Sequence, residues 1–353
     1  MQNKFAMISR CCPDKEPGII SQTSSRWLWA DHWGQVKCRI SGLRMSYIVK
    51  PGLYALGEPG RGSDVFASAN YKLSFDILRR ELKGLNAWIL VLDTRGINVW
   101  CAAGKGTFGS DELIKRIQET RLQAVIDHKR IIVPQLSAPG VNARAVQKVT
   151  GFRVHFGPVY ARDIPAYLSA GYRKSDEMSS VKFPLWDRLV LTPMEIIPAM
   201  KNYPLFALAV LLLCGLEPSG VIFSKAWSGG MPLLFLGFVA VLSGALITPV
   251  MLPFIPFRSF AIKGWIAGAL SVIIAGHLLR SYFIHAWVLF AGACLFFPAA
   301  SSYIALQFTG STTFTGMSGV KKELRIAVPF YIGSVVVSLI LVLLYKLNEW
   351  GLV

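Results

Sequence analysis

Two rhythms of apolar and polar positions divide the chain. Between residues 87 and 170, short apolar runs alternate with small-residue loops and amphipathic segments. Beyond residue 203 the apolar runs become long and nearly unbroken. Ala87-Trp88-Ile89-Leu90-Val91-Leu92 is apolar at every position, the pattern of a strand buried on both faces. The loop after it leads to Ser110-Asp111-Glu112-Leu113-Ile114, where Ser110 is expected as an N-cap and the two acids fall in a first helical turn. The unit then repeats. A strand over 130–134 leads to the loop Ser137-Ala138-Pro139-Gly140 and a helix over 143–149, capped by Asn142 and stopped by Gly151. A strand over 152–156 leads to Gly157-Pro158-Val159 and a helix near 164–168. Upstream, the pattern predicts a strand over 45–49 broken by Pro51-Gly52, a strand over 65–70, and a helix through Phe75, Leu78 and Leu82 between Ser74 as cap and Gly84 as stop.

Strand, loop and helix in alternation predict an α/β fold with a mostly parallel sheet and right-handed crossovers. The loops from Cys101 to Thr107, from Ser137 to Gly140 and from Gly157 to Val159 are then expected at one sheet edge, where open α/β sheets bind ligands. Their small residues let a backbone lie against a large flat ligand.

Five apolar segments follow, about 204–223, 231–252, 262–279, 285–306 and 327–345, each near the ~20 residues that span a bilayer. Residues 171–203 read as a linker carrying Pro184, Pro193 and Pro198. Five spans place the two chain ends on opposite sides. With the α/β domain in the cytoplasm, Lys201, Arg258, Lys263, Lys321, Lys322 and Arg325 fall inside and Lys225, Arg280 and Lys346 outside, which is the positive-inside bias. The expectation is a multi-pass protein of the cytoplasmic membrane with its C-terminus outside. Glu217, His277, Cys214 and Cys294 lie in or beside spans, where such groups are functional candidates; Glu217, followed by Pro218, reads as a span end.

Charge changes the picture little. The formal net charge is +17, and 29 of 37 basic residues with 17 of 20 acidic ones precede residue 204. No basic stripe is interleaved with aromatics, so no nucleic-acid partner is expected; an anionic lipid leaflet accounts for the surplus. Six cysteines, at 11, 12, 38, 101, 214 and 294, form no Cys-x-x-Cys and suit a reducing compartment. The first thirty residues lack the apolar core of a signal peptide. Residues 1–38 read as a variable leader in which Cys11 and Cys12 are two free thiols or a soft-metal pair.

The chemistry concentrates in Asn98-Val99-Trp100-Cys101-Ala102-Ala103-Gly104-Lys105. Gly104-Lys105-Gly106-Thr107 fails as a phosphate loop, with Val99 in place of the first glycine and Gly106 in place of Ser or Thr. Neither His128 nor His155 stands in a partner pattern that would make Cys101 a base-activated nucleophile. No neighbouring Cys or His completes a zinc site. A packed core cysteine is the remaining plain reading, because free cysteine is among the most buried residues.

These eight residues resemble, at every position, the signature Asn-(Val/Ile)-Trp-Cys-Ala-(Ala/Gly)-Gly-Lys of the mercury-methylating corrinoid protein family, HgcA. The resemblance continues through Pro51-Gly52-Leu53-Tyr54-Ala55, Ala69-Asn70-Tyr71-Lys72-Leu73-Ser74-Phe75-Asp76, Pro134-Gln135-Leu136, Ala138-Pro139-Gly140-Val141, Gly151-Phe152 and Gly157-Pro158-Val159, roughly residues 40–200. A more distant resemblance is to the corrinoid-binding domain of the corrinoid iron–sulfur protein of the acetyl-CoA pathway.

The family resemblance implies a Rossmann-like corrinoid-binding α/β domain over 39–170, then an all-α membrane domain of five transmembrane helices over 204–353. It implies a cobalamin-type corrinoid, a cap helix over the signature, and Cys101 as the lower axial ligand of cobalt and the catalytic residue. The Asp-x-His-x-x-Gly pattern that supplies a histidine ligand in other corrinoid proteins is absent; Asp31-His32 and Asp127-His128 have the wrong spacing. A thiolate ligand has a chemical rationale. Mercury(II) is an electrophile and must receive methyl as a near-carbanion, and an electron-rich axial ligand pushes density that way. Val99 and Trp100 are expected to pack the cap, and Asn98 to hold its turn through side-chain to backbone bonds. Ala102, Ala103, Gly104, Gly106 and Thr107 are expected in the cofactor crevice, with Lys105 beside the thiol or on a corrin side chain. The implied partners are a ferredoxin-like [4Fe–4S] electron donor (HgcB), a methyltetrahydrofolate-type methyl donor with its transferase, mercury(II) as substrate, and the lipid bilayer. The alternatives are a corrinoid methyl carrier of one-carbon metabolism with another acceptor, and a membrane-tethered corrinoid-binding module without turnover.

Overall fold

The computed structural model describes residues 20–311 and 317–352. Two compact units make up the chain, Met1–Val181 and Lys182–Val353. Cys11 and Cys12 lie outside the described residues.

In the first unit the elements run β1 (Ile20–Thr23), α1 (Trp29–Ile40), β2 (Gly52–Leu56), β3 (Val65–Ala69), α2 (Lys72–Glu81), β4 (Ala87–Leu92), α3 (Val99–Gly104), α4 (Ser110–Glu119), the single turn α5 (Leu122–Val125), β5 (Arg130–Val133), α6 (Ala143–Thr150), β6 (Arg153–Phe156) and α7 (Ile164–Ser169). The six strands form one sheet in the order β1-β2-β4-β3-β5-β6. β4, β3, β5 and β6 are mutually parallel. β2 runs antiparallel to β4 and carries β1 parallel to itself, so two of the six strands oppose the rest. The sheet is therefore mixed.

Side-chain alternation on the fully buried central strands fills two separate cores. Trp88, Leu90 and Leu92 of β4 join Leu113 and Ile117 of α4 and Val146 of α6. Ala87, Ile89 and Val91 join Phe75, Leu78 and Leu82 of α2 with Ile164 and Tyr167 of α7. Helices thus cover both faces, which is why these strands read as apolar runs rather than alternating ones.

Several local expectations are corrected. Residues 20–38, read as leader, hold β1 and most of α1. The stretch expected as a strand near 45–49 is instead the end of a short 3-10 turn, Gly42–Met45, and a single bridge from Ile48 to Tyr71; the strand begins at Gly52. Ser74 is inside α2, not its cap, since Tyr71 precedes the first turn. Gly109 occupies the N-cap of α4, and Ser110, one residue inside, instead accepts a hydrogen bond from the Asn142 amide at 2.7 Å. Asn142 does cap α6, accepting from the amides of Arg144 and Ala145, and Gly151 ends it at φ 77°.

A charged cluster ties α1 to α2. Lys72 Nζ lies 2.7 Å from Asp31 and 2.6 Å from Asp76, and Arg79 bonds both carboxylates at 2.7 and 2.8 Å. Burial pushes the Asp31 carboxyl up, but the bonds from Lys72, the Leu28 amide and Arg79 outweigh it and hold it at about 2.

The second unit begins with α8 (Leu185–Leu191) and α9 (Pro193–Gly215), followed by a hairpin of β7 (Leu216–Glu217) and β8 (Gly220–Val221). It continues through α10 (Phe223–Leu242), a π-turn over Ser243–Ile247, α11 (Thr248–Met251), α12 (Phe260–Leu278), α13 (Arg280–Phe283), α14 (Trp287–Gln307) and α15 (Met317–Glu349). Among the described residues, five helical stretches are long and apolar enough to cross a membrane: Leu185–Gly215, Phe223–Val250, Phe260–Leu278, Trp287–Gln307 and Ser318–Glu349. The first starts well before residue 204 and ends at Gly215, because Pro193 sits in a first helical turn, where a missing N–H costs nothing. Glu217 consequently lies in the hairpin, 2.7 Å from Lys225.

Candidate functional site

Chain order explains where the cavity forms. From β3 the chain passes to β4 on one side and then crosses to β5 on the other. Strand order reverses between β3 and β5, and the crevice outside the carboxyl ends of such strands is the usual ligand position of an open α/β sheet. A cavity of about 320 Å³ lies there, near the lower limit for small-molecule pockets. Phe66, Ala67 and Ser68 of β3 and Ile132, Val133 and Pro134 at the end of β5 form its floor, with Ser74, Ile77 and Leu78 of α2 on one wall. Gly157, Pro158 and Val159 after β6, then Tyr160, Ala161 and Ile164, close another wall, and Asn98, Val99 and Trp100 enter from the start of α3.

The signature folds as a short helix for local reasons. Asn98 is in the extended region at φ −64°, ψ 161°, and its side-chain oxygen accepts from the Cys101 amide at 2.9 Å, an N-cap bond. Ala102 and Ala103 are buried. Cys101 is half-buried and its thiol is free, while Gly104, Lys105 and Gly106 are exposed. Cys101, Gly104 and Lys105 share one helix face by their spacing. A Cβ added at Gly104 would meet nothing within 4 Å, so the face beside the thiol is bare.

Asn70 holds the approach to this helix. Buried at the end of β3, its Oδ1 accepts from Thr94 N at 3.1 Å, Thr94 Oγ1 at 2.9 Å and Gly96 N at 2.9 Å, and its Nδ2 donates to Asp93 at 3.2 Å. One amide thereby fixes the loop between β4 and α3.

The predicted residues separate into three groups. Asn98, Val99, Trp100, Gly157, Pro158 and Val159 line the cavity. Cys101, Gly104, Lys105 and Gly106 belong to the outer side of α3. The loop Ser137-Ala138-Pro139-Gly140 does not line the cavity: Ser137 is buried and donates to Pro134 O at 2.7 Å, Ala138 and Pro139 are exposed, and Gly140 seats α3. A Cβ at Gly140 would fall 2.4 Å from Phe108 O, 3.0 Å from Ala103 O and 3.1 Å from Ala103 Cα. Ala102, Ala103 and Thr107 take part in the same packing; Phe108 N and Thr107 Oγ1 both donate to Ala102 O, at 3.1 and 3.4 Å. Sequence reading did not reach the β3 and α2 contributions. The strand 65–70 was legible, but its central place in the sheet was not.

Among the described residues, no three His, Cys, Asp or Glu side chains gather where they could hold a metal ion. Nearby, Lys174 donates to Gln135 Oε1, and burial pushes its ammonium below the usual range.

Residues 43–168 match the family of the CO dehydrogenase/acetyl-CoA synthase delta subunit. Over that stretch the chain is a relative of acetyl-CoA synthase complex subunits. It is 29% identical over 126 residues to the acetyl-CoA decarbonylase/synthase complex subunit gamma of Archaeoglobus fulgidus, covering 35% of this chain and 26% of that protein. The subunit of the same name from Methanopyrus kandleri is 26% identical over 152 residues (42% and 32%). That from Methanothermobacter thermautotrophicus is 32% identical over 127 residues (35% and 27%). The chain thus spans a quarter to a third of the length of these curated relatives. The matched family stretch contains β2 to β6, the cavity and α3, and the five apolar helices lie beyond it.

Proposed function

We propose that this chain is a membrane-spanning, corrinoid-dependent methyltransferase that delivers a methyl group to mercury(II). The observation that carries the reading is the free, half-exposed Cys101 on a bare face of α3, at the carboxyl edge of the sheet, within a complete eight-residue signature. The residues fit a corrinoid. A 320 Å³ cavity holds only part of a macrocycle. Beside Cys101, an added Cβ at Gly104 would meet nothing within 4 Å, which leaves room for the remainder there. The acetyl-CoA synthase complex relatives, which resemble the chain over the same domain, support a corrinoid methyl carrier.

When bound, the corrinoid supplies a cobalt–carbon bond whose reactivity depends on the axial ligand. The chain's own contribution is positional. Cys101 would offer its sulfur to the cobalt. Asn98 fixes the first turn of α3, and Asn70 fixes the loop feeding it. Ala102, Ala103 and Gly140 set the depth of the helix against the domain. Gly157, Pro158 and Val159 leave the cavity open. Sulfur donation from Cys101 would enrich the cobalt in electrons, which would suit methyl transfer to an electrophile such as mercury(II). The cysteines lack the spacing of a four-cysteine cluster, so reducing equivalents come from a separate ferredoxin-like [4Fe–4S] protein of the HgcB type. The methyl group comes from a methyltetrahydrofolate-type donor. The five apolar helices hold the protein in the cytoplasmic membrane with the α/β domain on the cytoplasmic side.

The test is the visible spectrum of detergent-solubilised full-length protein reconstituted with cobalamin, followed by a methylmercury assay. Wild type should show a corrin spectrum that changes in Cys101→Ala, and the variant should lose mercury methylation. Identical spectra, or full methyl transfer by Cys101→Ala, would remove the thiolate from the mechanism. A second reading, a methyl carrier in one-carbon metabolism, is favoured by the acetyl-CoA decarbonylase/synthase relatives. It predicts the same spectral change with no methyl transfer to mercury.

A further inference from the structure

The second unit contains a cavity of about 650 Å³ whose charged lining is entirely basic: Lys182, Arg188, Arg258 and Lys263. Two of these cations are deeply buried, Arg188 at 8% exposed and Lys263 at 8%. Their partners are neutral. Arg188 Nη1 donates to Pro249 O at 3.1 Å and Val250 O at 2.6 Å, and Lys263 Nζ donates to Leu252 O. These are carbonyls at the C-terminal end of α11, where cations are favoured. Arg188 Nε is buried without any hydrogen-bond partner. Among the described residues, no carboxylate lies within ion-pair distance of Arg188, Arg258 or Lys263. Asp187 and Glu323 are not in the lining, and Glu323 is engaged by Ser259 Oγ and the Ala261 amide.

Helix-end carbonyls do not neutralise several clustered charges. Taking a cation out of water without an anion is costly. An anion is therefore the missing member of this site. Its other walls are apolar, formed by Phe183, Leu252, Phe257 and Phe260. Trp186, two residues before Arg188, and Phe254, next to Pro253, are both 72% exposed. Cations and hydrocarbon in one cavity, with an exposed Trp of the kind that sits at headgroup level close by in sequence, match an amphiphile rather than a free anion.

We infer that this cavity binds the phosphate headgroup of an anionic phospholipid, with the acyl chains leaving along Phe254 and Phe257. The assignment rests on the helices spanning a bilayer. All four cations precede or adjoin the loop between the second and third spans, so the site also marks the leaflet that this loop faces.

The test uses full-length protein in nanodiscs made with phosphatidylcholine alone or with added phosphatidylglycerol, reading lipid retained through detergent exchange by mass spectrometry. Phosphatidylglycerol should be retained in preference to phosphatidylcholine. Arg258→Gln, at an exposed position, should weaken that preference by roughly fivefold, and Arg258→Gln with Lys263→Gln by roughly 25-fold. Equal retention of both lipids, or preference unchanged in Arg258→Gln, overturns the assignment. Displacement of the lipid by inorganic phosphate at low millimolar concentration also overturns it, in favour of a soluble anion. Carbonate washing of membranes separates the two premises. A chain released by carbonate removes the spanning reading, whereas a retained chain without lipid preference removes the pocket alone.

Discussion

Replacing Gly140 by alanine separates a packing role from a cofactor-lining role. Sequence places Gly140 in a ligand crevice, where an added methyl group would hinder the ligand and leave the protein itself intact. In the structure the methyl carbon would fall 2.4 Å from Phe108 O and 3.0 Å from Ala103 O. Both obstacles are backbone atoms, so neither can rotate away. Either α3 or the loop carrying Gly140 must move, and such overpacking costs about 1–3 kcal/mol. The loss falls on the contacts of the Gly140 loop with α3 and with the 106–110 turn, where Ser110 N donates to Gly140 O at 3.2 Å. Hydrogen exchange of cofactor-free protein, read on peptides covering 99–113, should therefore quicken by about 5- to 150-fold. Gly104→Ala is the matched control. Its methyl group meets nothing within 4 Å, and alanine improves helix propensity by up to ~1 kcal/mol. Exchange should be unchanged or slower, while corrinoid binding falls if the macrocycle lies on that face. Wild-type exchange in Gly140→Ala would refute the seating of α3 described above. Faster exchange in Gly104→Ala would refute the bare face.

Three further outcomes are expected. Asn98→Ala removes the cap bond to Cys101 N and should cost α3 about 1 kcal/mol, seen as faster exchange of the same peptide and weaker corrinoid retention. Asn70→Leu leaves Thr94 N and Gly96 N without their acceptor, while Thr94 Oγ1 keeps Ile97 O at 2.7 Å; at about 1–3 kcal/mol for a buried unpaired group it should destabilise the domain measurably in denaturant titrations, and a neutral result would show the loop is held otherwise. Asp31 titrates near 2 when folded against an ordinary 3.8, so its stabilisation is complete above pH 3.8 and is lost as pH falls toward 2, a contribution of about 2 kcal/mol. Asp31→Asn should lower stability at neutral pH and flatten its pH dependence across that window, and an unchanged acid profile would show that other carboxylates set it.

The chain's own order of residues determined much of this protein. Unbroken apolar strands, three strand-loop-helix repeats and an Asn-capped signature are local patterns, and local patterns follow from side-chain period and capping chemistry. Asn142 and Gly151 bound α6 as their residue types require. The change from 2- and 3.6-residue rhythms to long apolar runs likewise marks five helices without reference to any contact. What needed the tertiary structure was everything set by which strand lies beside which. The reversed direction of β1 and β2 arises from the antiparallel pairing of β2 with β4, which no local period encodes. The central position of β3, and with it the cavity between β3 and β5, follows from a crossover. Gly140 differs from Gly157 only in what faces it, a carbonyl at 2.4 Å in one case and the Ile132 methyl at 3.0 Å in the other. Likewise, Arg188 is distant in sequence from Arg258 and Lys263, and only packing gathers their charge around one cavity whose described lining holds no carboxylate.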